Sequence, residues 1–150
     1  MDPVRVSIRW TSEQEDLRAA LALREEVFCR EQGVSRAEEL DGRDGEATHL
    51  VALDPSSGSV VGTLRLLGTG PTAKIGRVAV ERSWRGRAIA SRMLDLAVSA
   101  AREEGFAQVR LTAQTRATGV YERAGFAVES DPFIEAGIEH VLMGRTLLEG

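Results

Sequence analysis

The chain is poor in cysteine, lysine and aromatic residues, and it has no asparagine. Cys29 is the one cysteine and Lys74 the one lysine among 150 residues, while aromatic side chains make up 5%. A lone cysteine excludes an internal disulfide and a metal site built from several thiolates, so no metal centre is expected and a reducing, cytoplasmic setting fits. No apolar run approaches the roughly 18 residues needed to span a bilayer, and "MDPVRVSIRW" lacks the apolar core of a signal peptide, so neither membrane attachment nor export is expected. Excess positive charge is missing too. A formal net charge of −4 argues against a broad nucleic-acid footprint. With 19 Lys+Arg and a single lysine, the basic charge is nearly all arginine, a compositional bias that lowers the weight of any one arginine.

What is present is 43% apolar content over a length suited to one domain, taken as residues 1–150. Val4, Val6, Ile8 and Trp10 alternate with polar residues and predict a strand with one buried face. Ser12 and Glu15 have capping-box spacing and open a helix with Leu17, Leu21, Arg24 and Phe28 on one stripe, widened by neighbours Ala20 and Val27, ending near Gly33. "THLVAL" and "SVVGTLRLLG" flank Pro55-Ser56-Ser57-Gly58 and predict a hairpin, and "AKIGRVAV" follows the next break as a third consecutive strand. From about Ala88 to Glu104 no Gly or Pro interrupts a pattern placing Ile89, Met93, Leu96, Ala97 and Ala100 together, with Gly105 as the stop. "AQVRLTAQ" reads as a strand, "ATGVYERAG" as a short helix ending at Gly125, and "FAVES" and "EHVLMGRTLL" as closing strands. The expected order is β, α, βββ, α, β, α, ββ in one domain of α/β or α+β class.

The stretch "RVAVERSWRGRAIASRML" runs from a strand through a glycine-containing turn into a helix. Such a junction leaves backbone N–H groups free at the positive end of a helix dipole, which suits an anion. Gly86 permits a left-handed turn or a close approach, Ala88 and Ala90 keep the first helical turn open, and Arg85 and Arg87 add charged donors. The plain alternative is an ordinary connection with solvated arginines.

This stretch resembles the cofactor motif of the GCN5-related N-acetyltransferases, in which a strand leads to an Arg/Gln-x-x-Gly-x-Gly/Ala turn around the pyrophosphate of acetyl-CoA. Arg85 takes the first position, Ala88 stands where glycine is usual, and Ala90 closes the motif. The resemblance implies contacts from Val78, Ala79 and Val80 to the pantetheine arm, and from Arg85, Gly86, Arg87, Ala88, Ile89, Ala90 and Ser91 to the pyrophosphate. "LREEVFCREQGV", "ELDGRDGEATHL", "VVGTLRLL", "YERAGF" and "FIEAGIEHVLM" extend it to a small bacterial branch similar to ElaA, and the resemblance implies an α+β fold, a mixed central sheet of about seven strands flanked by helices. The first half is also similar to acyl-homoserine-lactone synthases, but those generally lack an Arg-Gly pyrophosphate turn.

The family's chemistry implies a strand bulge whose N–H meets the thioester carbonyl, placed here at Val78 to Val80. Tyr121, in "VYERAGF", reads from the residues alone as a helix tyrosine packing its ring in the core, but it matches the position whose hydroxyl faces the CoA sulfur as general acid, and that match reverses the order. For the base, His140 in "GIEHVLM" matches a recurrent histidine of the branch, and imidazole titrates near neutrality. His49, in a strand pattern, suits a structural or a functional role, and Glu31 and Glu135 are carboxylate alternatives. Glu38, Glu39, Asp41, Asp44 and Glu46 form an acidic loop, read either as a solvated face or as an attractor for a cationic amine. Cys29 reads as helix core. The expected activity is acetyl transfer from acetyl-CoA to a primary amine of a small molecule or peptide, with a homodimer left open. The alternatives are a CoA-sensing module without turnover and a homoserine-lactone-synthase-like enzyme.

Overall fold

The computed structural model describes residues 5–147; Val4 and Leu148, assigned above to strands, lie outside them. The elements are β1 (Ser7–Thr11), α1 (Gln14–Arg24), a π-helical turn (Glu25–Glu31), α2 (Arg36–Glu39), β2 (Thr48–Leu53), β3 (Val60–Thr69), β4 (Thr72–Val80), α3 (Ile89–Glu103), β5 (Gln108–Gln114), α4 (Thr118–Arg123), β6 (Ala127–Val128), β7 (Phe133–Glu135) and β8 (Ile138–Thr146). They form a mixed sheet of eight strands with four α-helices. That is one strand more than expected, because "FAVES" contributes only the two-residue β6 and β7 arises separately from "FIE".

The sheet runs β1-β2-β3-β4-β5-β8-β6, with β7 paired to β8. Every pairing is antiparallel except β4 with β5, whose parallel ladder covers only Thr72–Lys74 against Gln108–Arg110 before the strands part. The sheet therefore splits, and the second half of β4 has no strand beside it on the β5 side. Into this notch the chain brings α3, α4 and the π-helical turn.

The local signals account for most of the boundaries. Asp54 folds the β2–β3 turn by accepting from the Ser56 N–H and both Ser56 and Ser57 hydroxyls. Gly105, at φ 87°, ends α3 with the Gly105 N–H donating to Arg102 and the Phe106 N–H to Ala101. Gly125, at φ 91°, closes α4 the same way through the Phe126 N–H and the Tyr121 carbonyl. The Ser12–Glu15 capping box does not form. Instead Thr11 accepts from the Glu13 N–H, and its hydroxyl donates to Asp16, which also pairs with Arg9 at 2.9 Å.

In α1 and the following turn the buried positions are Asp16, Ala20, Leu23, Arg24 and Val27: Arg24 and the stripe's neighbours Ala20 and Val27 are buried as expected, while Leu17, Leu21 and Phe28 are half-buried. In α3, Ile89, Met93 and Ala97 are buried as expected, joined by Leu94, Val98 and Ala101, while Leu96 is exposed. These pack on Leu50, Ala52, Leu64, Val109 and Met143 of the sheet in the principal core.

Candidate functional site

Two cavities open at the split between β4 and β5, of about 450 and 360 Å³, and they meet at Gln32 and Val78. Every residue expected to hold the pyrophosphate and pantetheine lines the smaller one, except Arg87. Arg87 lies over the ring of Trp84, itself a lining residue, with its guanidinium 4.6 Å from the ring centroid.

The cradle is made by backbone. After β4 a single turn, Arg82–Trp84, leads to Gly86 at φ 81° and Ala88 at φ 60°, two left-handed residues that reverse the chain into α3. The first helical bond runs from the Arg92 N–H to the Ala88 carbonyl, so the amides of Ile89, Ala90 and Ser91 have no intrahelical partner and point out of the helix end. A Cβ built on Gly86 would meet no atom within 4 Å, so this is an open concavity with several donors and a fifteen-residue helix dipole behind it. Ala88 thus departs from the glycine pattern in backbone conformation: its left-handed φ costs an alanine about 1–2 kcal/mol. Arg85 is fixed by its Nε–H donating to the Val80 carbonyl at 2.9 Å and by an ion pair with Glu31 at 2.8 Å. That pairing occupies Glu31, which does not line the larger cavity. Arg123, not anticipated from sequence, adds a cation to the cleft wall.

The larger cavity brings Tyr121 and His140 together with Glu135 and Glu38. Tyr121 is presented by α4, and burial pushes its phenol up to about 12. His140 is positioned by the β7–β8 hairpin, whose two-residue loop, Ala136 and Gly137, has φ 52° and 76°. Its Nδ1–H donates to the Ile138 carbonyl at 2.7 Å, and its Nε2 lies 3.9 Å from Glu135. Glu135 in turn accepts from the Thr112 hydroxyl at 3.0 Å. The ring stacks on Phe133 with centroids 6.3 Å apart. His49 is elsewhere, on β2, with Nε2–H donating to the Asp44 carbonyl at 2.9 Å, a structural role. Cys29 lies in neither cavity lining, and burial pushes its thiol up, away from nucleophilic use.

At β4 the register with β3 slips: Ala79 opposes Thr63 and Gly76 opposes Arg65, leaving Arg77 and Val78 together opposite Leu64. This is a β-bulge, with Arg77 in the left-handed region at φ 55°. It lies beyond the end of the β5 ladder, and both cavities touch Val78. The acidic loop is not free to attract a ligand as a whole. Glu39, Asp41 and Asp44 are bonded to Arg24, Arg65 and Arg77, and the Arg65 hydrogen bond holds the Asp41 carboxyl well below the usual carboxylate range. Of the five acidic residues, Glu38 and Glu39 line the cavity, and Glu38 is the one of these two whose carboxylate has no arginine partner among the described residues.

Residues 12–147 match the family model described as an acetyltransferase (GNAT) domain. A Bacillus subtilis protein provisionally named an acetyltransferase is 35% identical over 138 residues, covering 90% of this chain and 92% of its own. An acyl-CoA N-acyltransferase from Pseudomonas aeruginosa superposes with TM-score 0.84 at 30% identity, over 95% of this chain and all of that one (100%). Escherichia coli ElaA gives TM-score 0.83 at 24% identity, over 94% and 99%, a likeness of fold.

Proposed function

The chain belongs to the GNAT acetyltransferase family and is an N-acetyltransferase; from that premise we propose that it moves the acetyl group of acetyl-CoA directly to a primary amine of a small molecule or peptide. The observation that carries this reading is the meeting of the two cavities at Val78, with the open N-terminus of α3 in one and Tyr121 and His140 in the other. In this reading the amides of Ile89 to Ser91 and the fixed Arg85 hold the diphosphate. The strand segment Val78 to Val80 receives the pantetheine arm, and the bulge offers backbone N–H to the thioester carbonyl as negative charge builds on its oxygen.

His140 accepts the proton that the amine nitrogen releases as its bond to the carbonyl carbon forms. As the carbon–sulfur bond breaks, Tyr121 donates its hydroxyl proton to the departing sulfur and is reprotonated from solvent. The Glu135 carboxylate beside His140 steadies the imidazolium. The lining supports a cationic or neutral amine over an anionic one, because its arginine, Arg77, is already matched by Glu39 and Asp41.

A panel of mono- and diamines, amino acids and short peptides incubated with acetyl-CoA, with release of free thiol recorded, tests the activity. Acetyl-CoA at about a hundredfold excess over its Kd should raise the melting temperature by roughly 5–11 °C. Absence of both thiol release and a thermal shift would exclude the reading. A shift without turnover on any amine would favour the CoA-sensing module.

A further inference from the structure

Three arginines and three carboxylates form a closed ring beneath the bulge. Arg24 bonds Glu39 at 2.6 Å, Glu39 bonds Arg77 at 3.1 Å, and Arg77 reaches Asp41 at 3.5 Å. Asp41 bonds Arg65 at 2.5 Å, Arg65 bonds Asp44 at 3.1 Å, and Asp44 returns to Arg24 at 2.7 Å. The arginines come from α1, β3 and the bulge of β4, whereas the carboxylates come from the last residue of α2, Glu39, and from the segment after it, Asp41 and Asp44. Arg24, Glu39 and Arg65 are buried to within 5% of full occlusion. Formal charges cancel around the circuit, so the desolvated groups are matched, and losing one member strands its neighbours.

Arg77 occupies a special place in this ring. Its backbone is the left-handed residue of the bulge, and its guanidinium also donates to the Glu39 carbonyl at 2.9 Å and the Glu38 carbonyl at 3.3 Å. One side chain thus joins the bulge that carries Val78 to the stretch of loop that walls the larger cavity. We propose that Arg77 is a positioning residue for acyl transfer: the ring, acting through it, holds the bulge backbone and the Glu38–Glu39 wall of the larger cavity in one fixed relation. The proposal rests on the acetyl-transfer reading above for its catalytic half, while its structural half stands on the protein alone. Residues of the pyrophosphate cradle are not in the ring, so the diphosphate's share of acetyl-CoA affinity should be insulated from it.

Arg77→Ala, Arg77→Gly, Asp41→Asn and the Arg77→Ala/Asp41→Asn pair are compared as full-length proteins by hydrogen–deuterium exchange, acetyl-CoA binding and thiol release with the best amine of the panel. Exchange over residues 74–82 should rise at least tenfold in each variant while that of 93–103 in α3 stays put. In the Arg77 variants kcat should fall at least tenfold with acetyl-CoA Kd within threefold, and adding Asp41→Asn to Arg77→Ala should cost less than twofold more. Glycine suits the left-handed backbone, so Arg77→Gly should melt no lower than Arg77→Ala yet remain as slow, which separates positioning from stability. Unchanged exchange over 74–82 overturns the proposal, as does raised exchange with kcat per folded enzyme within twofold of the parent. If the parent acetylates no amine, the functional reading fails, and the exchange result alone decides whether the ring holds the bulge.

Discussion

The Nδ1 of His140 lies 2.7 Å from the carbonyl oxygen of Ile138, and because a carbonyl can only accept, that ring nitrogen carries the hydrogen. In the neutral ring Nε2 is then the atom with the free lone pair, on a residue lining the cavity that also holds Tyr121. The hairpin supplies this orientation with its own backbone, two residues upstream, so the tautomer is set before any substrate arrives.

His140→Gln should therefore lower kcat near neutral pH by about 10²-fold, with acetyl-CoA affinity nearly unchanged. The remaining rate should climb roughly tenfold per pH unit until the amine loses its own proton. A pH–rate profile identical in shape to the parent's would remove His140 as the base.

Tyr121→Phe keeps the ring packed and deletes the hydroxyl. With the phenol pushed up to about 12 it is a weaker acid than an ordinary thiol near 8.5, so its proton moves to the departing sulfur late, after its hydrogen bond has already stabilised the charge building there. The expected loss is about 10²-fold in kcat, with Kd for acetyl-CoA within a few-fold. In the parent, no loss of rate below about pH 11 should trace to this group. A variant with near-normal kcat would assign Tyr121 to packing.

Much of this architecture is legible in the residues. Gly105 and Gly125 mark helix ends because only glycine reaches their φ values cheaply, and the Pro55 turn and the β2–β3–β4 run follow from alternation. The bulge and the ion-pair ring are not legible. Arg77 sits inside a regular-looking strand pattern, and the register slip depends on pairing with β3. The acidic loop looked solvated because its partners, Arg24, Arg65 and Arg77, lie on three other elements, and in an arginine-rich chain none of them stands out. Arg65 did carry a faint signal, a charge inside an otherwise apolar strand. The capping box failed for a similar reason: Asp16 and Arg9, distant in pattern but close in the fold, took over the helix start.

The ring also sets an acid limit. Burial raises the Asp44 carboxyl, but the Arg24 and Arg65 hydrogen bonds and charges outweigh it and leave it below the ordinary value; Asp41 is held lower still. A carboxylate depressed in the folded state contributes stability that is present above its unfolded value, about 3.9, and lost as pH falls through the folded one. The melting temperature should accordingly drop steeply below about pH 4. Asp41→Asn should melt lower than the parent at pH 7 and show a shallower decline between pH 4 and 2. Parallel curves for the two proteins would detach Asp41 from acid unfolding.

Ala88 offers the sharpest test of the cradle, because two explanations of its departure from glycine predict opposite results. If the departure matters through the backbone, the cost is the left-handed φ of 60° borne by an alanine, about 1–2 kcal/mol. Glycine relieves that strain but adds about 0.5–1 kcal/mol of unfolded-chain entropy, leaving a net gain near 0.5–1 kcal/mol. Ala88→Gly should then raise the melting temperature of the ligand-free protein by roughly 1–4 °C. Since the amides of Ile89 to Ser91 already stand in the same arrangement, acetyl-CoA affinity should move less than threefold. If instead the methyl crowds the diphosphate, the variant should bind acetyl-CoA about tenfold more tightly and melt unchanged without it. Calorimetric titration and ligand-free melts on one preparation distinguish the two. A gain in affinity without a gain in melting temperature would overturn the backbone account, and with it the view that this turn is held in shape before acetyl-CoA binds.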